Sequence, residues 1–454
     1  MKLPNVVFVF ADQWRAQALG YAGDPNVQTP NIDRLASESV NFRHALAGCP
    51  VCCPYRATLL TGRYPLSHGV FLNDVHLSHD AISLADAFKC AGYDTAYVGK
   101  WHVDGRGRSS DIPPERRQGF EYWKVLECTH DYNHSAYYAN DSDQKQYWQG
   151  YDAVAQTEDA VGYLREHDGR KPFLLVVSWG PPHSPYQTAP AEFQALYRPS
   201  DLTLRPNVPE SEAEWARRDL AGYYAHCSAL DACVGRLRQS LVETGRDEDT
   251  IFVFASDHGD MLGSHGLKDK QKPWDESIRV PFLLRYPRRF GTSGRVVDAL
   301  IDAPDVMPTL LGLSGVRIPE TVEGLDYSRY LDGGPDPADG AALLACYHPF
   351  GQWRAGLDGG PLGLTGREFR GLRTQRYTYV RSLTGSWLLY DNLHDPYQRR
   401  NLIEDPDYAS VQGDLEARLD RRLAAQGDAF LPGMEYVRRW GYPVDEHGTV
   451  PYTN

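Results

Sequence analysis

No stretch of about 18 apolar residues interrupts this 454-residue chain, so no segment is built to cross a bilayer as a helix. Positive charge is short too: Lys and Arg number 47 against 60 Asp and Glu, a formal net charge of −13. That balance argues against nucleic acid or an anionic membrane as the main partner, and any anion site must be a local cluster of cations. Cysteine is sparse, eight residues without a dense, regular framework, which fits reduced thiols rather than a disulfide scaffold. Met1-Lys2-Leu3-Pro4 runs straight into Asn5-Val6-Val7-Phe8-Val9-Phe10, too short for a charged start, an apolar stretch and a cleavage site. The expected compartment is cytoplasmic, or periplasmic or secreted for a chain whose signal has been removed. Repeats and low-complexity tracts are missing as well. What remains is ordinary for a globular protein: 42% hydrophobic and 24% charged residues, long enough for a sizeable core and two or three domains. The 41 glycines and 31 prolines predict long loops.

Four short apolar, β-rich runs each stop abruptly in residues that can bind or catalyse. Residues 6–10 lead to Asp12-Gln13, and 95–98 to Gly99-Lys100-Trp101-His102. Residues 173–177 lead through Gly180-Pro181-Pro182 to His183, and 251–254 through Ala255-Ser256 to Asp257-His258. Continuous apolar runs of this kind predict strands covered on both faces, and in open α/β sheets ligands gather beyond the carboxyl ends of the strands. Helical patterning between them is clearest over 211–245, where Ser211 and Glu214 have capping-box spacing. A Gly, Pro and Asp-rich linker over 332–340 divides a large unit, 1–335, from a smaller one, 336–454. In the second, residues 369–372, 377–381 and 387–390 suit a small antiparallel sheet, with a helix over 410–425 to cover one face.

Cys52-Cys53-Pro54-Tyr55-Arg56, followed by Leu60-Thr61-Gly62-Arg63, fixes a thiol, a rigidifying proline and an arginine at set offsets. Cys49 and Cys52 also form a C-x-x-C, readable as a redox pair, and Cys49, Cys52 and Cys53 as zinc ligands. No second Cys/His cluster at zinc-finger spacing accompanies them, and the strand-to-helix setting of a thioredoxin-type pair is missing. The stretch resembles the C-x-P-x-R signature of the type I sulfatases. Thr29-Pro30-Asn31-Ile32-Asp33-Arg34-Leu35-Ala36, Gly99-Lys100-Trp101-His102, Ser256-Asp257-His258-Gly259, Ser264-His265-Gly266 and Met307-Pro308-Thr309-Leu310 are similar to further landmarks of that family. Two departures stand out: Tyr55 replaces a small residue, and Gln13 stands where many sulfatases carry a second aspartate, as it does in the related phosphonate monoester hydrolases.

The resemblance implies an alkaline-phosphatase-like α/β fold, a mostly parallel mixed sheet between helices with a smaller carboxyl-terminal domain containing an antiparallel sheet. It implies that a maturation enzyme oxidises Cys52 to formylglycine, whose hydrate attacks sulfur with one hydroxyl and releases sulfate with the other. Asp12, Gln13, Asp257, His258 and position 52 would hold one divalent metal, Ca²⁺ first, with Mn²⁺ or Mg²⁺ open. Arg56 would hold the nucleophile, and Lys100 and Lys270 the charge developing on the sulfuryl oxygens. His183 is the first choice as acid for the leaving alcohol and Lys270 the second, with His102 as base for release of sulfate. His265 suits a turn.

The expected substrate is a small anionic ester, a sulfate monoester of a carbohydrate, aryl or other small alcohol. His348, Trp353 and Arg354, with the aromatic stretch 122–151, are candidates for gripping a sugar. A phosphonate monoester or phosphodiester hydrolase is the closest alternative, and an unmodified Cys52 would leave a non-catalytic binder of sulfated ligands. Self-association into a homo-oligomer is left open.

Overall fold

The computed structural model describes residues 3–350 and 367–452. Ten strands form the larger sheet: β1 (Asn5–Asp12), β2 (Val40–Leu46), β3 (Asp94–Lys100), β4 (Tyr122–Leu126), β5 (Ala136–Ala139), β6 (Gln146–Tyr147), β7 (Phe173–Pro182), β8 (Thr250–Ser256), β9 (Phe282–Arg285) and β10 (Arg295–Asp302). Their order across the sheet is β10-β2-β9-β8-β1-β7-β3-β4-β5-β6. β8, β1, β7, β3 and β4 run parallel to one another, as do β10 and β2. β9, β5 and β6 are antiparallel to their neighbours. The four runs singled out in the sequence are therefore the adjacent strands β8, β1, β7 and β3, and all four carboxyl ends open on one edge.

β1 shows why these residues become a central strand. Its β-branched and aromatic side chains favour the pleat, and all eight residues are buried. Val6, Phe8 and Phe10 face one layer, with apolar residues from the helices Cys52–Thr61, Leu84–Cys90 and Ala303–Ser314. Val7, Val9 and Ala11 face the other, built by Pro30–Ser37, Asp152–Glu166 and Ala213–Glu243. Truncating a fully buried ring such as Phe8 costs about 3–5 kcal/mol. Between Phe10 and Asp12 the register against β7 shifts, so the strand leaves its ladder at the residue that carries chemistry.

The long helix begins at Ala213 rather than Ser211, and the expected capping box is not made. A 3₁₀ turn over Glu210–Glu212 precedes it, which makes Glu212 the flanking residue and leaves Ser211 one position early; its hydroxyl donates to Glu212 Oε1 at 3.1 Å. Reciprocal caps occur instead at Ser83 with Asp86 and Asp302 with Asp305.

The second sheet is antiparallel, β11 (Ala341–Cys346), β12 (Phe369–Thr374), β13 (Tyr377–Ser382) and β14 (Gly385–Asp391), in that order. The helix Ala409–Ala425 covers one face through Leu415, Leu419 and Leu423, packed with Leu343, Leu372, Tyr379 and Leu389. The opposite face packs Leu344, Phe369, Val380 and Tyr390 against Leu46, Trp274, Ile278 and Leu300 of the larger unit. A buried bidentate pair pins this junction, Arg373 Nε and Nη2 each donating at 3.0 Å to Asp275.

Candidate active site

Asp12 ends β1, and Gln13 follows at φ 73, in the left-handed region that costs a non-glycine residue roughly 1 kcal/mol or more. His102, two residues past β3, is held likewise at φ 61. Cys52 is the first residue of its helix, after Val51 in extended conformation. Pro54 fits the first turn because its missing N–H has no carbonyl to reach there, and the Cys53 N–H donates to Asn73 Oδ1 at 3.0 Å. Gly62 ends the helix at φ 64, with space limited by Val322: an added Cβ would stand 2.9 Å from it.

Arg56 lies one turn beyond Cys52 on the same helix face and is fully enclosed. Nη1 donates to the Lys100 carbonyl at 2.9 Å and Ser178 Oγ at 2.8 Å. Nη2 donates to Asp12 Oδ2 at 3.3 Å and Asp257 Oδ2 at 3.1 Å. One guanidinium thus ties the catalytic helix to the ends of all four central strands, and a lysine in its place could not reach them together.

Asp12, Cys52, Asp257 and His258 present four ligand atoms within 4.8 Å of one another, all buried. His258 Nδ1 donates to the Gly259 carbonyl at 3.0 Å, which turns Nε2 inward, 3.2 Å from Cys52 Sγ and 3.6 Å from both carboxylates. Two carboxylates, a ring nitrogen anchored through its other nitrogen, and a side chain whose sulfur stands where the oxidised residue would offer oxygen fit a divalent cation. The Gln13 amide oxygen accepts from Lys270 Nζ at 2.8 Å, and its nitrogen donates to Asp260 at 2.7 Å and Asp269 at 3.3 Å.

Charge at the cluster is uneven. Burial alone would raise the Asp12 carboxyl, but Lys100, at 2.5 Å, with His183, His258 and Arg56, holds it well below its usual range. Burial and the Asp12 charge push the Asp257 carboxyl up. Burial opposes charge on His258, yet Asp257 and Cys52 lift its ring above its ordinary value. Burial and Asp12 disfavour a Cys52 thiolate, and the cations Lys270, Lys100 and His258 outweigh them, so the thiol falls well below its usual range. Position 52 therefore sits among both signs of charge, the carboxylates of Asp12 and Asp257 and the cations Arg56, Lys100 and Lys270, in a chain that is acidic overall.

Beyond position 52, Lys270 Nζ meets His183 Nε2 at 2.5 Å. His183 Nδ1 bonds the Ser184 carbonyl at 2.9 Å, which requires that nitrogen to carry the hydrogen. Nε2 is then the acceptor, and Lys270 donates. Burial and the Lys270 charge hold the His183 ring well below its ordinary value. The proton of this pair rests on lysine. His130 stacks on His183, with ring centroids 4.6 Å apart at 11°.

His102 Nε2 faces Asp74 Oδ1 at 3.2 Å. Asp74 also takes both arms of Arg108, at 2.9 and 2.8 Å. Asp74 and Arg108 carry no motif signal, whereas Ser178 follows the 173–177 run, Asp260 follows Ser256-Asp257-His258-Gly259, and Asp269 precedes Lys270. His265 occupies a turn at φ 57 and meets the Asn207 amide at 3.1 Å. His348 is buried and donates through Nε2 to the Gly448 carbonyl at 3.0 Å. Trp353 and Arg354 lie outside the described residues. All eight cysteines are free thiols.

Fold and comparisons place the chain in the alkaline phosphatase superfamily, and the family model described as Sulfatase matches residues 4–316. The chain belongs to the sulfatase family and is a sulfuric ester hydrolase. A second model, N-sulphoglucosamine sulphohydrolase, C-terminal, matches residues 263–425. Among relatives, an ulvan-active sulfatase of Formosa agariphila is 46% identical over 455 residues, spanning 99% of this chain and 87% of that one. An endo-4-O-sulfatase of Bacteroides thetaiotaomicron is 34% identical over 475 residues, 90% of each. A solved structure in complex with its substrate D-glucosamine-2-N,6-O-disulfate aligns at a TM-score of 0.79 and 25% identity, covering 94% of this chain and 99% of that one. The family generally works with a metal and a formylglycine, and the four-donor group presents donors suited to such a metal.

Proposed function

We propose that the chain hydrolyses a sulfate monoester of a carbohydrate, with position 52 as the nucleophile once Cys52 is oxidised by a maturation enzyme, and with Ca²⁺ as the resident cation. The observation that carries this reading is the convergence of four ligand atoms, Cys52 among them, on one buried point ringed by Arg56, Lys100 and Lys270. Support for a sugar comes from the ulvan-active sulfatase and from the similar structure solved with D-glucosamine-2-N,6-O-disulfate.

Asp12, Asp257, His258 and position 52 would hold the cation, and the Gln13 amide oxygen, which accepts from Lys270, is the further candidate donor. The cation would lower the pKa of the hydroxyl it binds and neutralise the paired carboxylates. Arg56 fixes the two aspartates and so the place of the nucleophile. Lys100 and Lys270 offer charge to the sulfuryl oxygens as the S–O bond to the alcohol breaks. Lys270, steadied by His183 and Gln13, gives its proton to the departing alkoxide and takes one back from solvent once the alcohol has left. His102 takes the proton from the second hydroxyl of position 52; its electron pair re-forms the carbonyl and expels sulfate. A serine at position 52 would stop at the sulfated enzyme.

Mass spectrometry of the peptide containing residue 52, from protein matured in a host that oxidises such cysteines, should find the aldehyde or its hydrate. Cys52→Ala should then lose turnover of sulfate esters by at least about 10³-fold. Full oxidation together with undiminished turnover by Cys52→Ala would sink the assignment of the nucleophile.

A further inference from the structure

We infer that Asp74, locked by Arg108, is the positioning residue that makes His102 a base, and that it acts on the second half of the reaction. This rests on the proposed role of His102. A carboxylate cannot donate, so the contact between His102 Nε2 and Asp74 Oδ1 at 3.2 Å puts the ring hydrogen on Nε2. Nδ1 keeps the lone pair; it is buried, and among the described residues no hydrogen-bond donor stands in bonding geometry to it. It is the only ring nitrogen able to accept a proton. The same logic governs an aspartate behind a catalytic histidine elsewhere: it selects the tautomer and stabilises the imidazolium that forms.

Asp74 is itself fixed on every side. Arg108 Nε and Nη2 grip its two oxygens at 2.9 and 2.8 Å, and the Arg108 guanidinium lies 3.7 Å from the centre of the Tyr452 ring. Burial would raise the Asp74 carboxyl, but hydrogen bonds from His102 and Arg108 drive it far below its usual range, so it stays ionised. The Asp74 N–H meets Cys53 Sγ at 3.3 Å, and the neighbouring Asn73 accepts from the Cys53 N–H. One dipeptide therefore aligns the residue next to the nucleophile with the base. The groups facing His102 are Asp74, the thiols of Cys53 and Cys128, Lys100 and the buried Glu127.

The role predicts where the reaction stalls. With Asp74→Asn, the first step still sulfates position 52 and frees the alcohol. The second hydroxyl then keeps its proton, because an amide lets the imidazole turn or change tautomer, and sulfate leaves slowly. Rapid-quench kinetics on mature enzyme should show a retained burst of alcohol with steady-state turnover lowered by about 10²-fold or more. The peptide containing residue 52 should carry one SO₃ group at steady state. Wild-type enzyme should not accumulate it, and His102→Ala should. Accumulation in His102→Ala but not in Asp74→Asn overturns the role of Asp74 while leaving His102 as base. Accumulation in neither overturns the base reading itself. Should Asp74→Asn fail to fold, Arg108→Gln is read in the same assay: a sulfated peptide supports the inference and its absence overturns it.

Discussion

Replacing Lys270 by alanine separates proton donation from charge stabilisation. The lysine Nζ sits 2.5 Å from His183 Nε2 and 2.8 Å from Gln13 Oε1, and the His183 ring can only accept from it. If Lys270 protonates the leaving oxygen, the loss must depend on how much that oxygen needs a proton. A nitrophenolate leaves unaided; a sugar alkoxide does not. General acid catalysis contributes typically about 10²–10⁴-fold, roughly 3–5 kcal/mol of barrier. The cationic charge on the sulfuryl oxygens is common to both substrates and cancels in their ratio. Lys270→Ala should therefore lose kcat/KM for a carbohydrate sulfate at least about 10²-fold more than for nitrophenyl sulfate. Removing the lysine leaves Gln13 and His183 short of a donor, at about 1–3 kcal/mol of stability, but a folding loss scales both substrates equally. His183→Ala should show the same asymmetry in smaller measure. Equal losses on the two esters would refute the assignment of the proton to Lys270.

Chelation should lower activity and melting temperature together, and Ca²⁺ at about a hundredfold excess over Kd should restore about 2.7 kcal/mol; a melting curve indifferent to chelator contradicts the cation site. Asp257→Asn should abolish that calcium-dependent shift. At the junction of the two sheets, Arg373→Met leaves the buried Asp275 carboxylate with Arg279, at 3.4 Å, as its remaining ion-pair partner and should cost about 3 kcal/mol in urea denaturation. The partner Asp275 has a pH signature: burial opposes its charge, but Arg373 and Arg279 bring its carboxyl down to about 2. Being lower in the folded state than in the unfolded, it stabilises above the ordinary carboxylate pKa of 3.8. That stability is lost as pH falls toward 2, and the variant should lack this part of the acid slope.

Residues whose role is carried by strand ends or by a short contiguous motif were legible in the sequence. Asp12, Lys100, His183 and Asp257 each terminate or follow a buried run, and the sheet brings those four runs side by side. The helical covering of the second sheet was readable for the same reason, since 410–425 repeats its leucines with helical spacing. β11 was not, because Ala-Ala-Leu-Leu-Ala-Cys suits a buried helix as well as a strand. The capping box at Ser211 had the right residues one position out of place. Asp74 and Arg108 escaped because they stand 34 positions apart, with a helix and β3 between them, and nothing in local pattern encodes the pairing. The proton on the Lys270 and His183 pair was beyond reach too: it depends on the Ser184 carbonyl claiming Nδ1.

Most catalytic groups hang from loops that can open while the body of a protein stays closed. Here β1 is zipped on both sides, to β7 and to β8, and covered above and below. Asp12 and Asp257 thus stand on the last elements to yield. Amide hydrogen exchange at Val7 and Val9 should need the whole molecule to open, so heat ought to abolish turnover and native structure in one event.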